Sequence, residues 1–232
     1  MDRCYFVTGI DTGIGKTVAT GMIARFLLKK GVRAATVKMV QTGCRGFSED
    51  LELHRKLMDS PPLPEDRAGL TAPQIFAFPA SPRFAAAREG RAVEPDRIAE
   101  AVRRVASNYD VTLIEGAGGL AVPLTEELLA IDFAAGRRWP VVLVASGRLG
   151  SINHILLSLE ALRARRMRLA GMVWNFCADA DPEIDADSFR TAGRYMVRCG
   201  FDAPVVRLER VDLAHPERTE TDFSPIFPEA RS

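Results

Sequence analysis

The sequence predicts an α/β fold: a mainly parallel sheet covered by helices on both faces, in one doubly wound domain over residues 1–232. Three observations carry this. Apolar runs at 3–8, 33–38, 111–115, 141–145 and 169–175 have the length of strands, and VVLVA at 141–145 is apolar throughout, as suits a strand covered on both sides. Between several of them lie stretches whose apolar residues recur at intervals of three and four, the helical spacing. No low-complexity linker and no internal repeat interrupts the alternation.

Residues 3–8 (RCYFVT) stop at glycine, and Val18, Met22 and Phe26, with Ile23 and Leu27, mark the helix that follows. It closes at Lys29, Lys30 and Gly31, where cations meet the negative end of the helix dipole and glycine suits the left-handed cap. The second strand is RAATVK, 33–38. A short helix from about Asp50 to Met58 precedes SPPLPEDRAGLTAP, 60–73, whose prolines and glycine allow little regular structure and predict a surface excursion. Residues 95–106 return to helix with Ile98, Val102 and Val105 on one face, ahead of the buried strand VTLIE at 111–115. Ile152, Ile155, Leu156, Leu159 and Leu162 mark the next helix, and LAGMVWN at 169–175 adds a further strand.

Bulk properties narrow the function. With 232 residues, 47% of them hydrophobic and 26% charged, the chain can bury a sizeable core. Net charge is +1 and the basic residues are dispersed, so neither nucleic acid nor an acidic membrane surface is expected as a partner. Cys4, Cys44, Cys177 and Cys199 form no CxxC pair, and His54, His154 and His215 are far apart, so no zinc or disulfide framework follows. No apolar run approaches the ~20 residues of a membrane span, and MDRCYFVTG runs straight into a strand without a targeting leader. A cytoplasmic protein is expected.

GIDTGIGKT, Gly9 to Thr17, lies between the first strand and the first helix, the setting a phosphate loop requires. Its glycines let successive N–H groups of Gly13, Ile14, Gly15, Lys16, Thr17 and Val18 face phosphate oxygens, and the helix N-terminus adds partial positive charge. Lys16 then reaches the terminal phosphates and Thr17 can ligate magnesium. Five residues rather than four separate Gly9 from Gly15, one more than the standard spacing. The fold expected is therefore of the phosphate-loop nucleoside-triphosphatase type, with ATP and Mg2+ as cofactors.

A triphosphate site needs acids at the carboxyl edge of a parallel sheet, where open α/β folds bind ligands. Glu115 ends VTLIE and is followed by Gly116, Ala117, Gly118 and Gly119, a backbone that a ligand can approach; the alternative is a glutamate that merely caps a strand before a tight turn. Lys38 closes the second strand beside Lys16, where a second cation offsets charge on two reacting anions, and Thr42 follows in a polar turn. Asp50, read from SEDLELH alone, is an N-cap or first-turn acid. Gly150, Ser151 and Ile152 begin a helix whose free N–H groups suit a carboxylate, while His154, one position after Asn153, receives no chemistry.

With these positions assembled, the chain resembles the dethiobiotin synthetases over nearly its whole length. YFVTGIDTGIGKT resembles their phosphate loop, extra residue included; VKMVQTG resembles their lysine strand; IEGAGGLAVPL and RLGSINH resemble their two other motifs. The resemblance implies an ATP-dependent cyclo-ligase: 7,8-diaminopelargonate takes up CO2 as a carbamate, the γ-phosphoryl group passes to it, and the second amine closes the ring of dethiobiotin with release of ADP and phosphate. Carried over by position, it makes Thr12, Lys16 and Lys38 catalytic, with Thr12 and Lys38 on the carbamate. Thr17, Asp50 and Glu115 would gather Mg2+, which reverses the capping reading of Asp50. Gly116, Ala117, Gly118 and Asn175 would line the nucleotide, Asn175 at the adenine edge. Thr42, Gly118 and the turn from Gly150 to Asn153 would line the diamine's site, the turn coming from the second subunit of a homodimer.

Two departures stand out. Phe189 occupies the place of a tyrosine that some relatives use near the substrate carboxylate, and the region from APVVRLER onward lacks the family's loop of Gly, Glu and Pro. Two rival readings are an amide-forming synthetase with a related loop, which usually carries an amidotransferase domain, and a partitioning or Min-type switch ATPase. The latter places a lysine where this loop has Asp11, and its membrane-binding versions end in a basic amphipathic helix, whereas HPERTETDFSPIFPEARS is polar and broken by prolines.

Overall fold

Continuous β-branched and aliphatic runs become central strands and the periodic segments become helices packed over them. The computed structural model describes residues 3–176 and 180–228. Strand β1, Cys4–Gly9, leads through the glycine loop to helix α1, Lys16–Lys29, and strand β2, Ala34–Lys38. There follow β3, Gln41–Thr42; α2, Glu49–Met58; α3, Pro64–Arg67; β4, Ile75–Phe76; α4, Pro82–Arg88; and α5, Pro95–Asn108. The second half runs β5, Val111–Gly119; α6, Ala130–Gly136; β6, Val141–Ala145; α7, Ser151–Ala164; β7, Leu169–Asn175; α8, Pro182–Arg198; and β8, Val205–Leu208.

Six strands form one sheet in the order β2-β5-β1-β6-β7-β8, every pair parallel. Every residue of β2 and β6 is buried, which requires cover on both faces. The chain leaves β1 toward β2 on one side, returns by β5, then crosses β1 to build β6, β7 and β8 on the other. Their carboxyl ends thus converge on the crevice where such sheets reverse direction and bind ligands. Register decides what meets there: Lys38 pairs with Glu115 across β2 and β5, although 77 residues separate them.

The fold class is as the sequence predicts, and some elements differ. β5 continues past Glu115 through Gly119, with a register slip against β1 between Val7 and Gly9. The stretch at 60–73 is less peripheral than its prolines imply. Thr71 within it and Gln74 just after it are buried, and their carbonyls accept from the N–H groups of Lys38 and Gln41, continuing the edge beyond β2. Arg55, also buried, pairs with Asp66 at 2.7 Å and donates to Thr36 Oγ1 at 2.7 Å. Nor is the end of the chain only a polar tail. Phe223, Ile226 and Phe227 are buried, with Phe227 edge-on to Tyr5 and Phe223 edge-on to Phe26, so residues 223–227 strap β1 to α1. No helix among the described residues is long and apolar enough to cross a membrane. Cys4, Cys44 and Cys199 are free thiols, and Cys177 lies outside the described residues.

Candidate functional site

The glycine loop ends at Gly15, whose φ of 87° is a left-handed conformation that favours glycine. A Cβ there would collide with the Asn175 side chain, whose Nδ2 donates to the Ile14 carbonyl at 3.0 Å. Asn175 at the tip of β7 therefore closes on the loop's backbone. No side chain caps α1, so the amides of its first turn are left without a capping acceptor, as an anion site requires. Lys16 turns back to donate to the Asp11 carbonyl at 2.8 Å, and its burial, with the charge of Lys38 adding, pulls its ammonium down to about 8 against the opposing carboxylates.

Four side chains from four elements meet beyond the loop. Lys38 Nζ lies 2.6 Å from Asp50 Oδ2 and 2.7 Å from Glu115 Oε1. Thr17 Oγ1 stands 3.1 Å from Asp50 Oδ1 and 3.1 Å from Glu115 Oε1, and its one proton serves either carboxylate but not both at once. Ser48, not Asp50, caps α2, its Oγ accepting from the Leu51 N–H at 3.2 Å. That leaves the Asp50 carboxylate to turn inward. Burial disfavours the charged form of Lys38, but Glu115 and then Asp50 outweigh it and raise the ammonium above its ordinary value. Burial likewise works against the Glu115 carboxylate; Lys38 first, then a hydrogen bond from His54, hold it well below the usual range.

Of the remaining expected positions, Gly116 and Gly118 adjoin this cluster and its loop. Gly118, with φ of 68°, carries its backbone to the loop: a Cβ there would stand 3.6 Å from Thr12 Oγ1 and 2.9 Å from Val122. Gly116 offers its carbonyl to Lys38 Nζ at 3.3 Å, and buried Ala117 spaces the two glycines. Gly150 caps α7 with φ of 92°, while Ser151 is buried and its Oγ has no hydrogen-bond partner. Residues flanking that turn reach the phosphate loop: Arg148 forms an ion pair with Asp11, and His154 Nδ1 lies 3.6 Å from the same carboxylate. Ile152 and Asn153 occupy the first turn of α7. Thr42 lies in β3, and among the described residues its hydroxyl makes no hydrogen bond to the cluster. Phe189 is packed edge-on to Trp174 with Arg207 over its face.

Sequence reasoning passed over His54. It is fully buried, and its Nε2 lies 2.7 Å from Glu115 Oε2. The available signal was its place four residues after Asp50, on the same face of α2. The role of Arg148 is likewise not legible in its motif, since no local pattern announces a partner 137 residues away. Two cavities differ in relevance. One of about 300 Å3, lined by Trp174, Phe176, Asp185, Arg207 and Glu209 among others, opens beside Asn175 at the ends of β7 and β8. A larger one of about 710 Å3 lies between the far half of α1 and residues 219–224, away from Lys16.

Comparison with known proteins identifies the family of the whole chain. Residues 3–203 match the family described as an AAA domain. The chain is 43% identical over 213 residues to an ATP-dependent dethiobiotin synthetase, BioD 2, of Pasteurella multocida, covering 92% of this chain and 99% of that protein. It is 46% identical over 209 residues to an ATP-dependent dethiobiotin synthetase of Chlorobaculum tepidum, covering 90% and 87%. Among solved structures, chloroplast FtsY of Physcomitrella patens superposes with a TM-score of 0.52 at 20% identity, over 99% of this chain and 65% of that one. The septum site-determining protein MinD of Pyrococcus horikoshii, complexed with Mg-ADP, superposes at 0.52 and 15%, over 90% and 82%. At such identities these two structures speak for the fold alone.

Proposed function

The chain belongs to the ATP-dependent dethiobiotin synthetases within the AAA-domain family, and from that premise we infer that its cluster of Thr17, Lys38, Asp50 and Glu115 is the reaction centre of a cyclo-ligase of biotin synthesis. The reaction joins CO2 to 7,8-diaminopelargonate and closes the ureido ring, with ATP converted to ADP and phosphate. One observation carries the residue assignment: two lysines, two carboxylates and a hydroxyl from distant segments converge where a free helix N-terminus meets the sheet's switch point.

The cluster suits a carbamate meeting a triphosphate. Two anions must approach one another, and the protein's task is to offset their charge at fixed positions. Lys16 would serve the terminal phosphates, with the α1 amides alongside; Thr12 and Lys38 would hold the carbamate. Lys38 is engaged by both Asp50 and Glu115, so a second cation on those carboxylates would let the lysine turn to a substrate. Thr17, Asp50 and Glu115 fit Mg2+: all are hard oxygen donors, and both carboxylates lie 3.1 Å from the Thr17 hydroxyl. When bound, Mg2+ would offset phosphate charge.

Asn175 and the cavity beside it would take the nucleotide's base, with Gly116, Ala117 and Gly118 along the phosphates. Thr42, Gly118 and Gly150 to Asn153 would take the diamine. A homodimer is supported by Leu149, 86% exposed, and Leu157, 58% exposed, both on the face that carries the 150–153 turn. A cytoplasmic location, away from membrane and nucleic acid, follows the same reading. The test is ADP release with diaminopelargonate, bicarbonate and Mg-ATP: the parent turns over only with the diamine, and Lys38→Ala does not. Diamine-independent hydrolysis alone would contradict the ligase reading; an unimpaired Lys38→Ala enzyme would remove Lys38's role.

A further inference from the structure

We propose that His54 is a positioning residue for the metal site: its Nε2–H holds Glu115 Oε2 so that Oε1 alone is presented to Thr17 and to the cation. The inference rests on the reading of Thr17, Asp50 and Glu115 as Mg2+ ligands and assigns the metal site's supporting group.

Three observations converge on it. Both oxygens of the fully buried Glu115 are assigned, and to different sides: Oε1 faces Thr17 Oγ1 at 3.1 Å and Lys38 Nζ at 2.7 Å, while among the described residues Oε2 faces only His54, at 2.7 Å. Since an ionised carboxylate only accepts, His54 Nε2 carries the proton of that contact. His54 is also delivered by the helix that brings Asp50, one turn further on, so α2 supplies one carboxylate and aims the other. Finally, His54 Nδ1 is buried without a hydrogen-bond partner. A histidine kept only to fill the core would satisfy both nitrogens or yield to an apolar side chain of similar size, since an orphaned buried nitrogen costs free energy. The contact it does make falls on the one carboxylate a cation would need held still, and groups that hydrogen-bond a ligating carboxylate restrict its rotation.

The experiment titrates Mn2+ in the presence of ADP, following the electron paramagnetic resonance of free Mn2+, for the parent, His54→Leu and His54→Gln. ADP affinity in EDTA is measured alongside. Loss of the Nε2 donor weakens ADP-dependent Mn2+ binding about 10- to 100-fold in His54→Leu, the range seen when such supporting groups are removed. Metal-free ADP affinity stays unchanged, and His54→Gln, whose amide reaches as far as Nε2, regains most of the loss. Should His54→Leu not fold, His54→Asn replaces it, its amide being too short to reach Oε2, and the same contrast with His54→Gln decides. Equal Mn2+ affinity in parent and variant overturns the proposal, as does an equal loss of metal-free ADP binding. A parent with no ADP-dependent Mn2+ site overturns the metal reading itself, a result distinct from a parent that binds and a variant that binds as well.

Discussion

Replacing Lys38 with methionine removes the cation from between two carboxylates while keeping much of its volume. Glu115 is fully buried, and Lys38 is the nearest charge holding it ionised. Breaking a buried pair by removing one partner costs roughly 3–5 kcal/mol, because a charge is left uncompensated. Here His54 and Thr17 still donate to Glu115, which places the expected loss near the lower end, about 3 kcal/mol. For a chain of this length that is a fall of roughly 6–12 °C in melting temperature. Calorimetry in EDTA measures it, and repetition with Mg2+ and ADP adds a second reading. A ligand that binds only the native state stabilises it in proportion to affinity. Freed from competition with the lysine for Asp50 and Glu115, metal and nucleotide together should raise the melting point of Lys38→Met more than that of the parent, although turnover is lost. A metal-free melting point within about 2 °C of the parent's, equivalent to under about 1 kcal/mol, would refute the uncompensated-charge reasoning.

Other substitutions probe the surroundings. Gly15→Ala forces a side chain into a left-handed conformation, for about 1 kcal/mol, and displaces Asn175 from the Ile14 carbonyl, for about 1 kcal/mol more; urea unfolding reads the sum, and ADP affinity should fall with it. Asp66→Asn leaves Arg55 buried without its counter-ion and lowers stability by roughly 3 kcal/mol at neutral pH. Burial opposes the Asp66 carboxylate, but Arg55 and Thr71 hold its pKa below the ordinary value, so its contribution is whole above about pH 4 and fades as pH falls through the folded pKa. Parent and Asp66→Asn melting points should therefore converge in acid. Arg148→Ala breaks a half-exposed ion pair and should cost under about 1 kcal/mol of stability. By loosening the 147–153 turn from the phosphate loop it should still lower kcat/KM for the diamine about tenfold, equivalent to about 1.4 kcal/mol of positioning. Unchanged kinetics would make that pair incidental.

What was legible depended on whether a signal was local. Apolar runs gave β1, β2, β5, β6 and β7 because parallel strands covered on both faces must be apolar at nearly every position. β8 was missed: it lies at the sheet's edge, is short, and exposes Arg207 in its middle. α8 escaped because its few fully buried residues are Ser188, Ala192 and Met196, small or isolated among charges, and α6 because it is only seven residues long. The burial of Phe223, Ile226 and Phe227 was hidden by a polar, proline-containing context.

The sequence by itself determined the phosphate loop, the alternation that places it after the first strand, and the chemical types needed around it: cations, acids, and glycines where backbone must come close. Each is a local signal, a residue type read against its immediate strand, loop or helix context. Tertiary structure alone decided that Lys38 stands opposite Glu115, that Ser48 frees Asp50 from capping, that His54 occupies the second oxygen of Glu115, and that Arg148 reaches Asp11. Those outcomes depend on strand order, register and helix orientation, which arise from packing the whole core at once.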